Sequence, residues 1–151
     1  MDKVKILAPA KINIFLKVLG RKKNGMHVIR TGITFINIFD EITINLSDKN
    51  SIEYVGPFSP SSKNYNDCIM LKTLQFLRIK NNSNFKIKVY KNIPVQGGLG
   101  SASTNAAALI KGLQKMDLIE KKKPTYYAFL GSDIPCFLLQ KNCLALGQGE
   151  K

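Results

Sequence analysis

Apolar and polar residues alternate over much of the first third of the chain. Ile12, Ile14, Leu16 and Val18 take turns with Asn13, Phe15, Lys17 and Leu19. A period of two with β-branched enrichment predicts a strand, on which Lys11 and Asn13 share a face. Residues 4–8 form a shorter apolar strand that Pro9 is expected to end. Residues 28–39 and 41–46 read as two further strands meeting near Asp40, and residues 21–25, with Asn24-Gly25, have the composition of a turn. Gly, Pro and Ser follow closely over residues 54–66 and predict a loop. The spacing then becomes helical at Ile69, Met70, Leu74 and Leu77, with Asn66 or Asp67 as the expected cap. Alternation returns where Phe85, Ile87 and Val89 are set against Lys86, Lys88 and Tyr90, a half-buried strand with a basic outer face.

That strand leads into residues 93–109, Ile-Pro-Val-Gln-Gly-Gly-Leu-Gly-Ser-Ala-Ser-Thr-Asn-Ala-Ala-Ala-Leu, which read as a tight loop and the start of a helix ending near Asp117. Pro124 and the run Lys121-Lys122-Lys123 interrupt regular structure. Residues 126–130 fit one helical turn, residues 131–135 a compact turn, and residues 143–146 a last short strand. The order predicts one α+β domain over residues 1–151, a mixed sheet with helices packed on one face.

Gly97, Gly98 and Gly100 admit positive φ and let a ligand approach without a Cβ in the way. Behind them, a helix N-terminus offers unpaired N–H groups to a phosphate. A plain glycine-rich turn before a buried helix fits this stretch equally well. Two commoner fingerprints are excluded. No Lys stands between Lys91 and Lys111, as Walker A requires, and Ser103 occupies the place of the third glycine of the dinucleotide motif. A phosphate site here works through backbone N–H groups and the hydroxyls of Ser101, Ser103 and Thr104.

The formal net charge of +13 points to an anionic partner, but only three of the 23 basic residues are Arg, and the lysines are dispersed. Cys68, Cys136 and Cys143 form no Cys-x-x-C pair, and with one His they supply no zinc site. They read as small apolar residues in a reducing compartment. Lys3, Lys5, Lys11 and Lys17 break up any export signal, and Pro94, Gln96 and Asn105 make the uncharged run 92–110 too polar to span a membrane. The expectation is a soluble, cytoplasmic protein.

Four separated stretches carry a resemblance: Pro9-Ala10-Lys11-Ile12-Asn13-Ile14-Phe15-Leu16, the turn Gly20-Arg21-Lys22-Lys23-Asn24-Gly25-Met26-His27, the glycine loop 93–107, and Gly131-Ser132-Asp133-Ile134-Pro135-Cys136-Phe137. In this order, and running to Gly147-Gln148-Gly149-Glu150, they resemble the N-terminal domain of the GHMP small-molecule kinases, a fold like domain 2 of certain ribosomal proteins. Within that family the resemblance is to the branch that phosphorylates a hydroxyl of a cytidine-diphosphate-linked erythritol in the non-mevalonate isoprenoid route. It implies ATP as donor, with magnesium accompanying it.

It also implies Lys11 and Asp133 as the catalytic pair, a carboxylate to accept the hydroxyl proton and an ammonium to stabilise charge. Asn13, Met26 and His27 match positions that hold the cytidine end, Met26 standing where the family usually has an aromatic ring. On the ATP side the match covers Lys91, near the adenine, and Pro94, Gly97, Gly98, Leu99, Gly100, Ser101, Ala102, Ser103 and Thr104. Ser101 and Ala102 replace family glycines, which negative φ tolerates, and Asp67 stands where the family often has Asn. The family continues into a second domain of comparable size. The expectation is therefore a truncated or split kinase completed by a C-terminal polypeptide. The alternatives are an inactive remnant that retains nucleotide binding, and a small basic nucleic-acid-binding domain. Against the last, Phe85, Tyr90, Tyr126 and Tyr127 are not interleaved with Arg.

Overall fold

Two long strands form the frame. In the computed structural model, which describes residues 2–21, 23, 25, 27–60 and 68–147, β1 (Lys3–Arg21) pairs antiparallel with β2 (His27–Ser47) from Lys3↔Asn45 to Arg21↔His27. Pro9 does not end the first strand, and the two strands expected to meet near Asp40 are one. Asp40 stays in the ladder opposite Ala8, and a bulge accommodates the proline. Between Pro9 and Ala10 the register jumps from Phe39 to Ile36, so β2 bulges where the proline lacks an N–H to give the ladder.

β3 (Ser51–Val55), β4 (Asn84–Tyr90) and β5 (Cys143–Gly147) complete the sheet. β4 runs antiparallel to residues 41–47 of β2, and β3 lies parallel to β4 on its outer side. β5 pairs antiparallel with residues 29–33 of β2, so that strand serves two groups of neighbours along its length. β3 takes in Tyr54 and Val55, which the composition had assigned to a loop, and the loop starts only at Gly56.

Three helices cover one face: α1 (Ile69–Phe76), α2 (Ser101–Lys115) and α3 (Ile134–Leu139). Cys68 holds the N-cap position of α1 with no side-chain cap, Leu77 is its C-cap, and the proposed caps Asn66 and Asp67 lie outside the described residues. Residues 131–135, expected as a turn, include the first turn of α3. Residues 124–129 form a 3-10 turn.

The alternation seen in the sequence decides which face is covered. Ile42, Ile44, Phe85, Ile87 and Val89 are buried beneath Leu109, Ile110 and Leu113 of α2, while Lys86, Lys88 and Tyr90 face water. Small residues bring α2 close. A Cβ on Gly112 would lie 2.4 Å from Cδ1 of Ile44. Beyond Lys11, in the ribbon of β1, β2 and β5, Ile33 of β2 and Ala145 of β5 are still buried against Cys136 of α3, but along β1 Ile14, Leu16, Val18 and Leu19 are each more than half exposed. Among the described residues, no helix is long and apolar enough to cross a membrane.

Candidate active site

The glycine loop is shaped by three left-handed residues, Gln96 (φ 62°), Gly98 (φ 71°) and Gly100 (φ 73°). Gly97, expected among them, has no positive φ; Gln96 takes that conformation instead. Gly100 is needed for space as well as for φ, since a Cβ there would lie 2.5 Å from Cζ of Phe137 and 3.0 Å from Cγ of Lys11. The loop is thereby pressed between α3 and β1, and Lys11 N donates to the Leu99 carbonyl at 3.0 Å. Ser101 and Ala102 sit in the first turn of α2, where helical dihedrals accept a Cβ. The first closing bond of that turn is Thr104 N to Gly100 O, 2.9 Å. The amides of residues 101–103 therefore lack an intrahelical acceptor. They open on a groove of about 700 Å³, bounded by Pro60 and Cys68 on one side and residues 94–103 on the other.

At the edge of this loop the structure brings Lys11 and Asp133 together, with Nζ 3.8 Å from Oδ2. Lys11 is buried, and the Asp133 side chain keeps 29 % of its surface exposed. Asp133 immediately precedes α3, whose Phe137 packs edge-on against Phe35 of β2 with ring centroids 5.5 Å apart. Lys11 Nζ also donates to Asn13 Oδ1 (2.6 Å), Asn13 Nδ2 donates to Thr31 Oγ1 (2.6 Å), and Thr31 Oγ1 donates to the Phe15 carbonyl (2.6 Å). This chain of bonds fixes the direction of the ammonium. His27 is exposed at the start of β2, on the same face as Thr31 and four residues away, a separation of roughly 13 Å along a strand. Met26 lies outside the described residues.

Lys91, expected as an adenine neighbour, follows directly on the last residue of β4. Its side chain is turned inward and buried, paired with the buried carboxylate of Asp40 and bonded to Ser101 Oγ. Burial lowers its pKa, opposed by the hydrogen bond and charge of Asp40. Asp40 Oδ1 accepts from Asn92 N (2.7 Å) and Ile93 N (2.8 Å). With its amide nitrogen facing the carboxylate, Asn105 donates to Asp40 Oδ2 (2.9 Å) and accepts from Lys91 Nζ (3.1 Å). Thr104 is also set back from the groove, its hydroxyl buried with no partner among the described residues. The sequence reading missed Asp40, Thr31 and Asn105. One signal was present for Asp40, which falls in phase with buried Ile42 and Ile44 on the inner face of a strand. Among the described residues, no group of three or more His, Cys, Asp and Glu side chains is placed to hold a metal ion.

Residues 68–140 match the family described as GHMP kinases N terminal domain. A 4-diphosphocytidyl-2-C-methyl-D-erythritol kinase from Fervidobacterium nodosum is 35 % identical over 142 residues, which are 93 % of this chain and 50 % of that protein. One from Anaplasma marginale (strain Florida) is 37 % identical over 154 residues, 99 % of this chain and 53 % of that protein. A crystal structure of 4-(cytidine 5'-diphospho)-2C-methyl-D-erythritol kinase superposes with a TM-score of 0.79 at 26 % identity, over 97 % of this chain and 53 % of that one. The chain spans about half the length of the relatives it matches. The motifs, the mixed sheet and these similarities agree: the chain is similar to the N-terminal half of these kinases, and its residues 68–140 match the GHMP kinases N terminal domain.

Proposed function

We propose that this chain is the ATP-binding and phosphoryl-transfer half of a 4-diphosphocytidyl-2-C-methyl-D-erythritol kinase. One observation carries the reading. Lys11, Asp133 and the glycine loop converge, with Lys11 bonded through its own N–H to the loop and its ammonium 3.8 Å from the Asp133 carboxylate. Convergence of residues 122 positions apart is what a surface lysine and an unrelated turn aspartate would not show.

The geometry supports a division of labour. The free amides of residues 101–103 and the positive end of α2 hold the donor phosphates, with the hydroxyls of Ser101 and Ser103 beside them. A groove of about 700 Å³ is of a size to admit a nucleotide. ATP supplies the transferable phosphoryl group. Asp133, partly open to water, accepts the proton of the attacking hydroxyl. Lys11, held by Asn13, offers positive charge where the transferred group gains negative charge. Magnesium arrives with the nucleotide phosphates.

The cytidine end of the acceptor lies along the ribbon face that carries Asn13 and His27. The rest of the relatives' length, as a further segment or a separate polypeptide, covers the apolar ribbon and closes the cleft against water. The charged reactants place the enzyme in the cytoplasm.

Titration with ATP, followed by amide chemical shifts, tests the donor site. Shifts centred on residues 97–104 are expected; shifts confined to other regions would overturn the assignment. A remnant that only binds nucleotide would give the same shifts and differ in transfer, which is measured separately.

A further inference from the structure

Burying an ion pair rarely adds to stability, because desolvation offsets the attraction, and an apolar pair of similar size often serves a core as well. The Asp40–Lys91 pair is buried on both sides, so its partners show what it does. Asp40 Oδ1 receives the N–H groups of Asn92 and Ile93, where the chain leaves β4 and enters the glycine loop. Lys91 reaches Ser101 Oγ, where the loop ends and α2 begins. Asn105, one turn further along α2, bonds to both ions. The network thus grips the loop at entry and exit. Between the grips lie Gln96, Gly98 and Gly100, all left-handed. From the other side the loop is held by Lys11 N on the Leu99 carbonyl.

We infer that Asp40, Lys91 and Asn105 are positioning residues that hold the glycine loop in its phosphate-receiving shape before a nucleotide arrives. The inference rests on the nucleotide-binding reading of the loop and deepens it. A loop already ordered loses less conformational freedom on binding, so the network acts on nucleotide affinity without touching the ligand. It also explains why an ionic arrangement is kept in a core. An apolar pair would fill the same space but would leave two N–H groups at the loop entry without an acceptor and Ser101 without its tether.

The test is the double variant Asp40→Leu/Lys91→Met, compared with wild type by amide hydrogen exchange without nucleotide and by ATP titration. Exchange at residues 92–103 is expected to rise about ten-fold or more, with Ile42, Ile44 and Ile87 unchanged, and ATP affinity to fall about ten-fold. Uniform acceleration through the core strands, or unchanged loop exchange, would overturn the inference. So would a wild type that binds ATP and a double variant that binds it as tightly. Faster loop exchange in the variant, together with a wild type that ignores ATP, would uphold the positioning and overturn the nucleotide reading instead. Should the double variant not fold, Ser101→Ala and Asn105→Ala remove the tethers singly. Each is expected to speed exchange at residues 99–103, and no change in either would count against the network.

Discussion

Lys111 lies half-buried on α2, and the loss of water around it pulls its pKa from 10.5 down to about 8. The unfolded chain binds that proton more tightly than the folded one. The charged lysine therefore opposes folding below pH 8, and stability is regained as pH rises from about 8 towards 10.5. Tyr127, whose hydroxyl is held above 10.0 by burial, pulls the other way only beyond that point. Lys111→Met is expected to raise Tm at pH 7 and to flatten the rise between pH 8 and 10 in urea unfolding; an unaltered slope would contradict this. Residues differed in how far the sequence revealed them. Lys11, Asp133 and the loop glycines could be singled out because each stands in a motif of the family resemblance. Asp40 and Asn105 were not, because their partners are 51 residues away in one case and reached only through folding in the other. For Lys91 the sequence did not reveal the partners of the side chain. Its expected place near the adenine came from the family resemblance, and only the packed structure shows the ammonium pointing inward.

At the scale of elements, alternation located β1 and β4, β2 and β5 were also read as strands while β3 was not, and the bounds failed where strand length mattered. Pro9 and Asp40 both looked like breaks, yet one bulge absorbs the proline and the aspartate is buried within the strand. β3 ends at Tyr54 and Val55, inside the stretch whose composition reads as a loop, and α3 is six residues with Pro135 in its first turn, too short for a helical period to show. The packing of α2 on the sheet carries its own prediction. Gly112→Ala gains about 1 kcal/mol of helix preference. Its Cβ, 2.4 Å from Ile44 Cδ1, costs about 1–3 kcal/mol in overpacking. The second effect is the larger, so Gly112→Ala should lower stability by about 1 kcal/mol. Ile44→Val removes the Cδ1 that clashes. The double variant should therefore be more stable than the sum of the two single changes. Additive values in denaturant unfolding would show that α2 does not lie as close as described.

The whole molecule presents two surfaces of different kinds. Around the sheet, lysines are dispersed and several are paired with nearby carboxylates, Lys5 with Glu41 and Lys122 with Glu120. At the ribbon, by contrast, large apolar residues stand in water, as expected of a face made to be covered. This chain accounts for about half the length of its relatives, and the proposed centre lies near the base of that ribbon. The central claim is that Asp133 and Lys11 perform phosphoryl transfer within a cleft that the remaining half of the relatives' length completes. It is tested most directly by following the γ-phosphate from ATP to the cytidine-diphosphate-linked methylerythritol. The chain is assayed alone and fused to the C-terminal half of the Anaplasma marginale relative. Near-background transfer by the chain alone is expected, with turnover in the fusion that falls by about a hundred-fold or more in Asp133→Asn. Transfer that survives Asp133→Asn, or a fusion that binds both reactants and transfers nothing, would contradict the account.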